Sequence, residues 1–182
     1  MPNNGKINQR KNHQRYNEQI EGIPFYHKQG QEFNGVIKYL NEKTGAIEIT
    51  SNSYYSGDHP KNLVDFNDKT KYESPRSDAW ICFDFKKIKI EPTGYSIKSF
   101  EGEKNDCHLK SWDIEVSDDG ENWNVIDQHK NCSTLNGNWF VDTFYVQSND
   151  FSNYVRIRQT DEPWGGDYLK ICCIKFYGFL KV

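Results

Sequence analysis

Ser111-Trp112-Asp113-Ile114-Glu115-Val116-Ser117-Asp118-Asp119-Gly120-Glu121-Asn122-Trp123 is the stretch on which the fold turns. Trp112, Ile114 and Val116 alternate with Asp113, Glu115 and Ser117, the period of two expected of a strand with one face in a core and one in water. Asp118-Asp119-Gly120 then supplies a side-chain acceptor for an Asx-type turn and a residue free to take positive φ, and Trp123, Val125 and Ile126 restart the apolar run on the return. The stretch is a β-hairpin with Trp112, Ile114, Val116 and Trp123 as expected core residues. A hairpin alone is marginal in water, so the rest of the chain must supply a second layer.

At 182 residues the chain can form one large core and bury about 70% of its unfolded surface. Aromatics make up 15% of it and methionine occurs once, a composition that favours sheet over helix. Strand patterns recur at Ala46–Ser51, Ala79–Phe85, the run Ile88 to Phe100, Trp139–Val146, Tyr154–Thr160 and Ile171–Gly178, separated by Gly, Asn and Asp turns. The nearly continuous apolar run Ala79–Phe85 reads as a strand covered on both faces. Asn62–Tyr72 reads as a compact turn unit and Glu73–Asp78 as a loop. Together these predict an all-β antiparallel sandwich, or jelly roll, of about eight strands.

Two features precede the sandwich. Residues 35–45 read as a short lead-in helix, with Asn34 as N-cap, Val36, Ile37 and Leu40 on one side and Gly45 as the stop. Residues 1–32 form an extended polar arm, and residues 33–182 the domain proper. The arm carries Lys6, Arg10, Lys11 and Arg15 with no acidic residue before Glu18. These four cations would sit on an acidic partner surface, with Ile20, Ile23, Phe25 and Tyr26 as apolar contacts ordering on binding.

Charge and motifs exclude several functions. Lys+Arg 23 against Asp+Glu 26 gives a net charge of −3, so no global field draws the molecule to nucleic acid or an anionic membrane. Met1-Pro2-Asn3-Asn4-Gly5-Lys6 lacks the apolar region of a signal peptide, which with five cysteines in no C-x-x-C spacing predicts a reduced, cytoplasmic protein without disulfides, metal or cofactor. Cys82, Cys172 and Cys173 lie in apolar runs and read as small buried hydrophobes. Asp118 with Asp119, and Asp161 with Glu162, are adjacent turn residues, whereas catalytic carboxylates face each other across about 5–9.5 Å. No nucleophile elbow, phosphate loop or zincin helix is present, so the chain reads as a non-enzyme.

Four pieces in order resemble the discoidin family, also called the coagulation-factor type C domain, a galactose-binding-like jelly roll. His59-Pro60-Lys61-Asn62-Leu63-Val64-Asp65 is similar to the family's opening HPPENAVDG, and Ala79-Trp80-Ile81-Cys82-Phe83-Asp84-Phe85 to its WIQVDLG strand. Trp112–Trp123 is similar to YxIEYSDDGxxW, while Tyr154-Val155-Arg156-Ile157-Arg158 and Lys175-Phe176-Tyr177-Gly178 are similar to RYVRI and the closing ELYG. The resemblance runs from about Ala46 to Gly178. The helix at 35–45 also resembles the lead-in of intracellular protist members, which commonly follows a BTB domain for which the residues before Gly35 leave no room. Secreted members join the two ends of the domain by a disulfide, and no cysteine here lies before Cys82, which agrees with an intracellular setting.

The resemblance implies a ligand end built from loops, carried here by Tyr54, Tyr55, Arg76, Asp78, His108 and Trp164; Arg158, on its strand near the Trp164 loop, is a further ligand candidate. Trp164 is either a stacking platform or a ring folded back over the sandwich edge. Glycan-binding relatives often hold a structural calcium with a DGxxxTxW turn and a glutamate in the closing strand. Here Asp65 and Thr70 match, but Lys175 replaces the glutamate, and an ammonium would repel the ion. The expected function is a protein-interaction or scaffolding module in a larger, cytoskeleton-associated assembly. The alternative is a lectin-like module holding a carbohydrate or similar polar ligand; the loops lack the apolar spikes and basic collar that would seat them in a membrane.

Overall fold

The computed structural model describes residues 22–31, 35–43, 47–64 and 68–182. Two antiparallel sheets face each other, and ten strands are described: β1 (Ile23–Phe25), β2 (Glu48–Ser51), β3 (Tyr72–Ser74), β4 (Trp80–Asp84), β5 (Lys89–Ser99), β6 (Trp112–Ser117), β7 (Asn124–His129), β8 (Val141–Tyr145), β9 (Tyr154–Gln159) and β10 (Leu169–Lys181). One sheet runs β1-β10-β5-β8, with β3 also paired to β10, and the other runs β2-β4-β9-β6-β7. Helix α1 (Val36–Lys43) precedes β2, with Val36, Ile37 and Leu40 buried on its inner side. Asn34, Gly45 and the cationic arm residues Lys6, Arg10, Lys11 and Arg15 lie outside the described residues.

The two strands beyond the expected eight are the three-residue β1 and β3. They are too short for a period of two to register in sequence, and both are created by pairing with the long β10. Part of the expected arm is thereby built into the sandwich. Phe25 packs on Tyr39 of α1 with ring centroids 4.8 Å apart, and Tyr26 meets Phe179 edge-on at 5.9 Å, so these rings contact the domain itself. β10 bends at register shifts near Ile171/Cys173 and Tyr177/Gly178. Gly178 has φ +148°, and a methyl group there would overlap the carbonyl oxygen of Glu91, which makes glycine a requirement of that bulge.

Trp112, Ile114 and Val116 enter the core as the alternation demands. Phe83 meets Phe176 across the sheets at 5.2 Å, and Trp112 meets Phe144 edge-on at 5.2 Å. A hydrogen-bonded thread also crosses between the layers. The indole N–H of Trp112 donates to the Tyr95 hydroxyl at 2.8 Å, which donates in turn to Oδ2 of Asp127 at 2.8 Å. Burial is the main cause that pushes the Tyr95 phenol well above its ordinary range, with the Asp127 carboxylate adding to it, so the hydroxyl keeps its proton and can serve as this link.

The opposite face of β6 departs from expectation. Asp113, Glu115 and Ser117 should face water, yet Asp113 is 6% and Glu115 4% exposed. Arg156 and Arg158 of β9 lie across them: Nε of Arg156 donates to Glu115 at 2.6 Å, while Arg158 donates through Nε to Glu115 at 3.0 Å and through Nη2 to Asp113 at 2.6 Å. Carboxylates removed from water are tolerable only with such dense pairing. Trp123, expected in the core, is on this outer face instead, its ring 3.9 Å from the Arg156 guanidinium carbon and its N–H donating to the Gly120 carbonyl. Trp80 flanks the same guanidinium at 5.9 Å, so the β4 run is not covered by core on both faces. The register of the hairpin shifts between Ile114 and Glu115, and Val125, part of the returning apolar run, is exposed.

Candidate ligand-binding site

The ends of β2, β3, β5, β7 and β9 and the starts of β4, β6, β8 and β10 bring their loops to one end of the sandwich. Asn52 joins two of these loops: its Oδ1 accepts from the Trp80 N–H at 3.0 Å and its Nδ2 donates to the Asp78 carbonyl at 3.1 Å. The buried Tyr72 hydroxyl donates to the Ser53 carbonyl at 2.8 Å, and the Tyr55 N–H donates to the Glu73 carbonyl at 3.0 Å. These bonds hold the loop after β2 so that Tyr54 remains 45% and Tyr55 43% exposed. Tyr54 leans on His59, with ring centroids 4.9 Å apart, and Tyr55 meets Tyr168 edge-on at 6.4 Å.

Arg76 and Asp78 form a bidentate pair in solvent, Nε to Oδ1 at 2.6 Å and Nη2 to Oδ2 at 2.7 Å. The hydrogen bonds from Arg76 hold the Asp78 carboxyl below its usual range. Tyr168 completes this rim. Lys170 stands over its ring at 5.3 Å while reaching Asp106 at 3.2 Å, and the hydrogen bond with the Cys107 thiol raises the Tyr168 phenol pKa. Tyr168 was not singled out from sequence, although a tyrosine beside the Gly165-Gly166 pair in a loop without strand or helix period was a signal of the same kind as Trp164.

The remaining expected ligand residues are placed differently. His108 was expected at the ligand end as a contact, but it is fully buried. Its backbone bridges Trp164, and its Nε2 is 2.9 Å from the Glu103 carbonyl. His108 therefore sits inside the junction, and its backbone ties two loops together. Trp164 takes the folded-back arrangement: its indole N–H donates to the Cys132 carbonyl at 2.9 Å, with Lys110 over the ring at 5.6 Å. Arg158 extends toward β6, away from β4, and joins Asp113 and Glu115 rather than the tyrosine rim.

The loops themselves are fastened. A methyl group at Gly165, which has φ +65°, would overlap the carbonyl oxygen of Asn105. Asn105 and Asn136 exchange two hydrogen bonds at 2.7 and 2.8 Å. The five cysteines are free thiols, and burial pushes the Cys82 thiol up to about 11, which makes it a poor nucleophile at neutral pH.

The structural calcium implied by the family resemblance can be tested against the donors present. Asp65 lies outside the described residues. Lys175 is fully buried, and its Nζ donates to the Val64 carbonyl at 2.8 Å. A carbonyl oxygen that could have faced a divalent cation thus receives an ammonium proton, and a second cation beside it is electrostatically unfavourable. The residues do not fit calcium. Among the described residues no cluster of three His, Cys, Asp or Glu could hold a metal, and no helix is long and apolar enough to cross a membrane.

Two antiparallel sheets packed as a sandwich, with the connecting loops gathered at one end under an aromatic and charged rim, define a β-sandwich class of domain. The chain belongs to the F5/8 type C domain family, whose model matches residues 48–174. No curated protein matches the sequence. Solved structures share the fold. CpGH89CBM32-5 from Clostridium perfringens, solved with GalNAc-β-1,3-galactose, aligns with TM-score 0.61 and 15% identity over 74% of this chain and 96% of that one. The family 32 carbohydrate-binding module of C. perfringens NanJ, solved with galactose, aligns with TM-score 0.60 and 13% identity over 73% and 94%. The CBM32 of AlyQ, solved with 4,5-unsaturated mannuronic acid, aligns with TM-score 0.54 and 15% identity over 71% and 93%.

Proposed function

We propose that this domain is a non-catalytic carbohydrate-binding module whose primary contact is the rim of Tyr54, Tyr55, Arg76, Asp78 and Tyr168. The observation that carries the reading is the pair of neighbouring tyrosines held open to solvent by backbone and side-chain hydrogen bonds beside an exposed ion pair. Phenol faces receive the C–H face of a sugar ring, while the guanidinium and carboxylate offer donors and acceptors to its hydroxyls. The sugar-bound modules that share the fold support this reading over scaffolding, and Phe25, expected as a contact of the anchoring arm, packs on Tyr39 of the domain itself.

The test is a glycan array followed by calorimetric titration of the best hit into wild-type protein and the Tyr54→Ala and Tyr55→Ala variants. Both side chains are exposed, so the variants should melt with the wild type while losing affinity. A blank array for the wild type would overturn the proposal.

A further inference from the structure

Beside the rim, where β6 starts and β7 and β9 end, a cleft of about 410 Å³ is lined by polar residues from all three strands and their loops. That volume is in the range of small-molecule sites, roughly 300–1,000 Å³. Its acidic groups are already engaged. Asp113 accepts from Arg158 at 2.6 Å and from the Gln128 amide at 3.1 Å. Asp161 accepts from Lys110 at 2.8 Å and from the Glu162 N–H at 2.9 Å, and the hydrogen bond from Lys110 is the first cause of its lowered carboxyl pKa. Glu115, just beyond the cleft, is held by both arginines.

The donors are in the opposite condition. Arg158 uses Nε and Nη2 and keeps Nη1 open, with its side chain 37% exposed. Among the described residues Lys130 has no ion pair, and neither the Asn131 side-chain amide nor the Thr160 hydroxyl makes a hydrogen bond. Asn131 also adopts φ +52°, with its backbone N–H fixed on Ser111 Oγ at 3.1 Å, so this part of the wall is held in a conformation that a flexible surface turn would not retain. What the cleft leaves unengaged is two cations and two neutral groups, Asn131 and Thr160, that can donate or accept, while both of its carboxylates are already paired. That pattern selects an acceptor-rich anion, and the neutral donors suit hydroxyl or ring oxygens beside it.

We infer that this cleft is a second saccharide subsite that takes the carboxylate of an acidic sugar between Arg158 and Lys130, with Asn131 and Thr160 bonding the adjoining oxygens. The sugar part of the inference rests on the carbohydrate reading above; the anion preference rests on the cleft alone.

The experiment is an amide and arginine side-chain NMR titration of the full chain with D-glucuronate, D-glucose and acetate. Glucuronate should shift the signals of Asn131, Thr160 and the Arg158 Nε–H, and glucose at equal concentration should leave them in place. The Lys130→Ala/Asn131→Ala double variant changes two exposed residues and should weaken glucuronate binding about tenfold, the effect of losing one charge-assisted hydrogen bond. Glucuronate shifts confined to Tyr54, Tyr55 and Tyr168 would overturn the cleft assignment and leave the carbohydrate reading standing. Acetate shifts as strong as those from glucuronate would overturn its preference for a sugar. A silent titration with all three, beside a positive glycan array, would remove the cleft; silence with a blank array would remove both readings.

Discussion

Replacing Tyr95 with phenylalanine deletes one oxygen from the thread that joins the two sheets. The ring remains between Phe144 and Phe176, with centroids 5.1 and 6.2 Å away, so packing changes little. The loss falls on the hydrogen bonds. Trp112 is fully buried, and its N–H would be left without an acceptor, at a cost of about 1–3 kcal/mol. Asp127 would lose one donor but keeps His129 at 3.0 Å and enough exposure to recruit water, so its share is smaller. A total of about 2 kcal/mol corresponds to roughly 4–8 °C in Tm for a domain of this size. Calorimetry measures it directly. A Trp112→Phe/Tyr95→Phe double variant should recover part of the orphaned-donor cost in a double-mutant cycle. A Tyr95→Phe Tm equal to the wild type, or strict additivity in the cycle, would refute the claim that this thread stabilises the sandwich.

Two further outcomes are expected. Asp119 accepts the Asn122 side-chain amide at 2.7 Å and the N–H groups of Glu121 and Asn122 at 2.8 Å, and these bonds, led by the Asn122 amide, depress its folded-state pKa. Its contribution is therefore present above the unfolded carboxylate value near about 4 and disappears as pH falls through the lower folded value. Asp119→Asn should be less stable than wild type at neutral pH and show a shallower acid decline, measured by denaturant titration at several pH values; parallel pH profiles would contradict the assignment. Removing metal should do nothing to the wild type: a chelator or added calcium should leave Tm within about 1 °C, whereas a calcium site at 100-fold saturation would contribute about 2.7 kcal/mol. Lys175→Glu is the variant in which a calcium response would appear, and a wild-type response would undo the ammonium argument.

The alternation Trp112-Ile114-Val116 gave away β6, and the breaker residues around it placed the hairpin turn, because each depends on neighbours in sequence. Trp123 did not follow: it lies on the outer face against Arg156 of β9, a contact that no residue near it in sequence reveals. The burial of Asp113 and Glu115 was hidden for the same reason: the sequence of β6 says polar, and only the pairing with β9 puts two arginines over it. β1 and β3 exist through β10 alone. At the loop end, Tyr54, Tyr55, Arg76 and Asp78 were readable as exposed loop residues. His108 was misread because a histidine next to a cysteine in a turn-rich segment gives no sign that its backbone will be tied to Trp164.

The contact between Gly165 and the Asn105 carbonyl bears on how such a domain can acquire a new ligand. Two loops that meet backbone to backbone constrain each other, and the Asn105–Asn136 exchange ties a third loop, after β7, to the pair. A new ligand at this end would be met most simply by replacing rim side chains such as Tyr54, Tyr55 and Tyr168 while the backbone keeps its course. For the ligand proposed above, loops fastened in this way would leave little ordering entropy to oppose association.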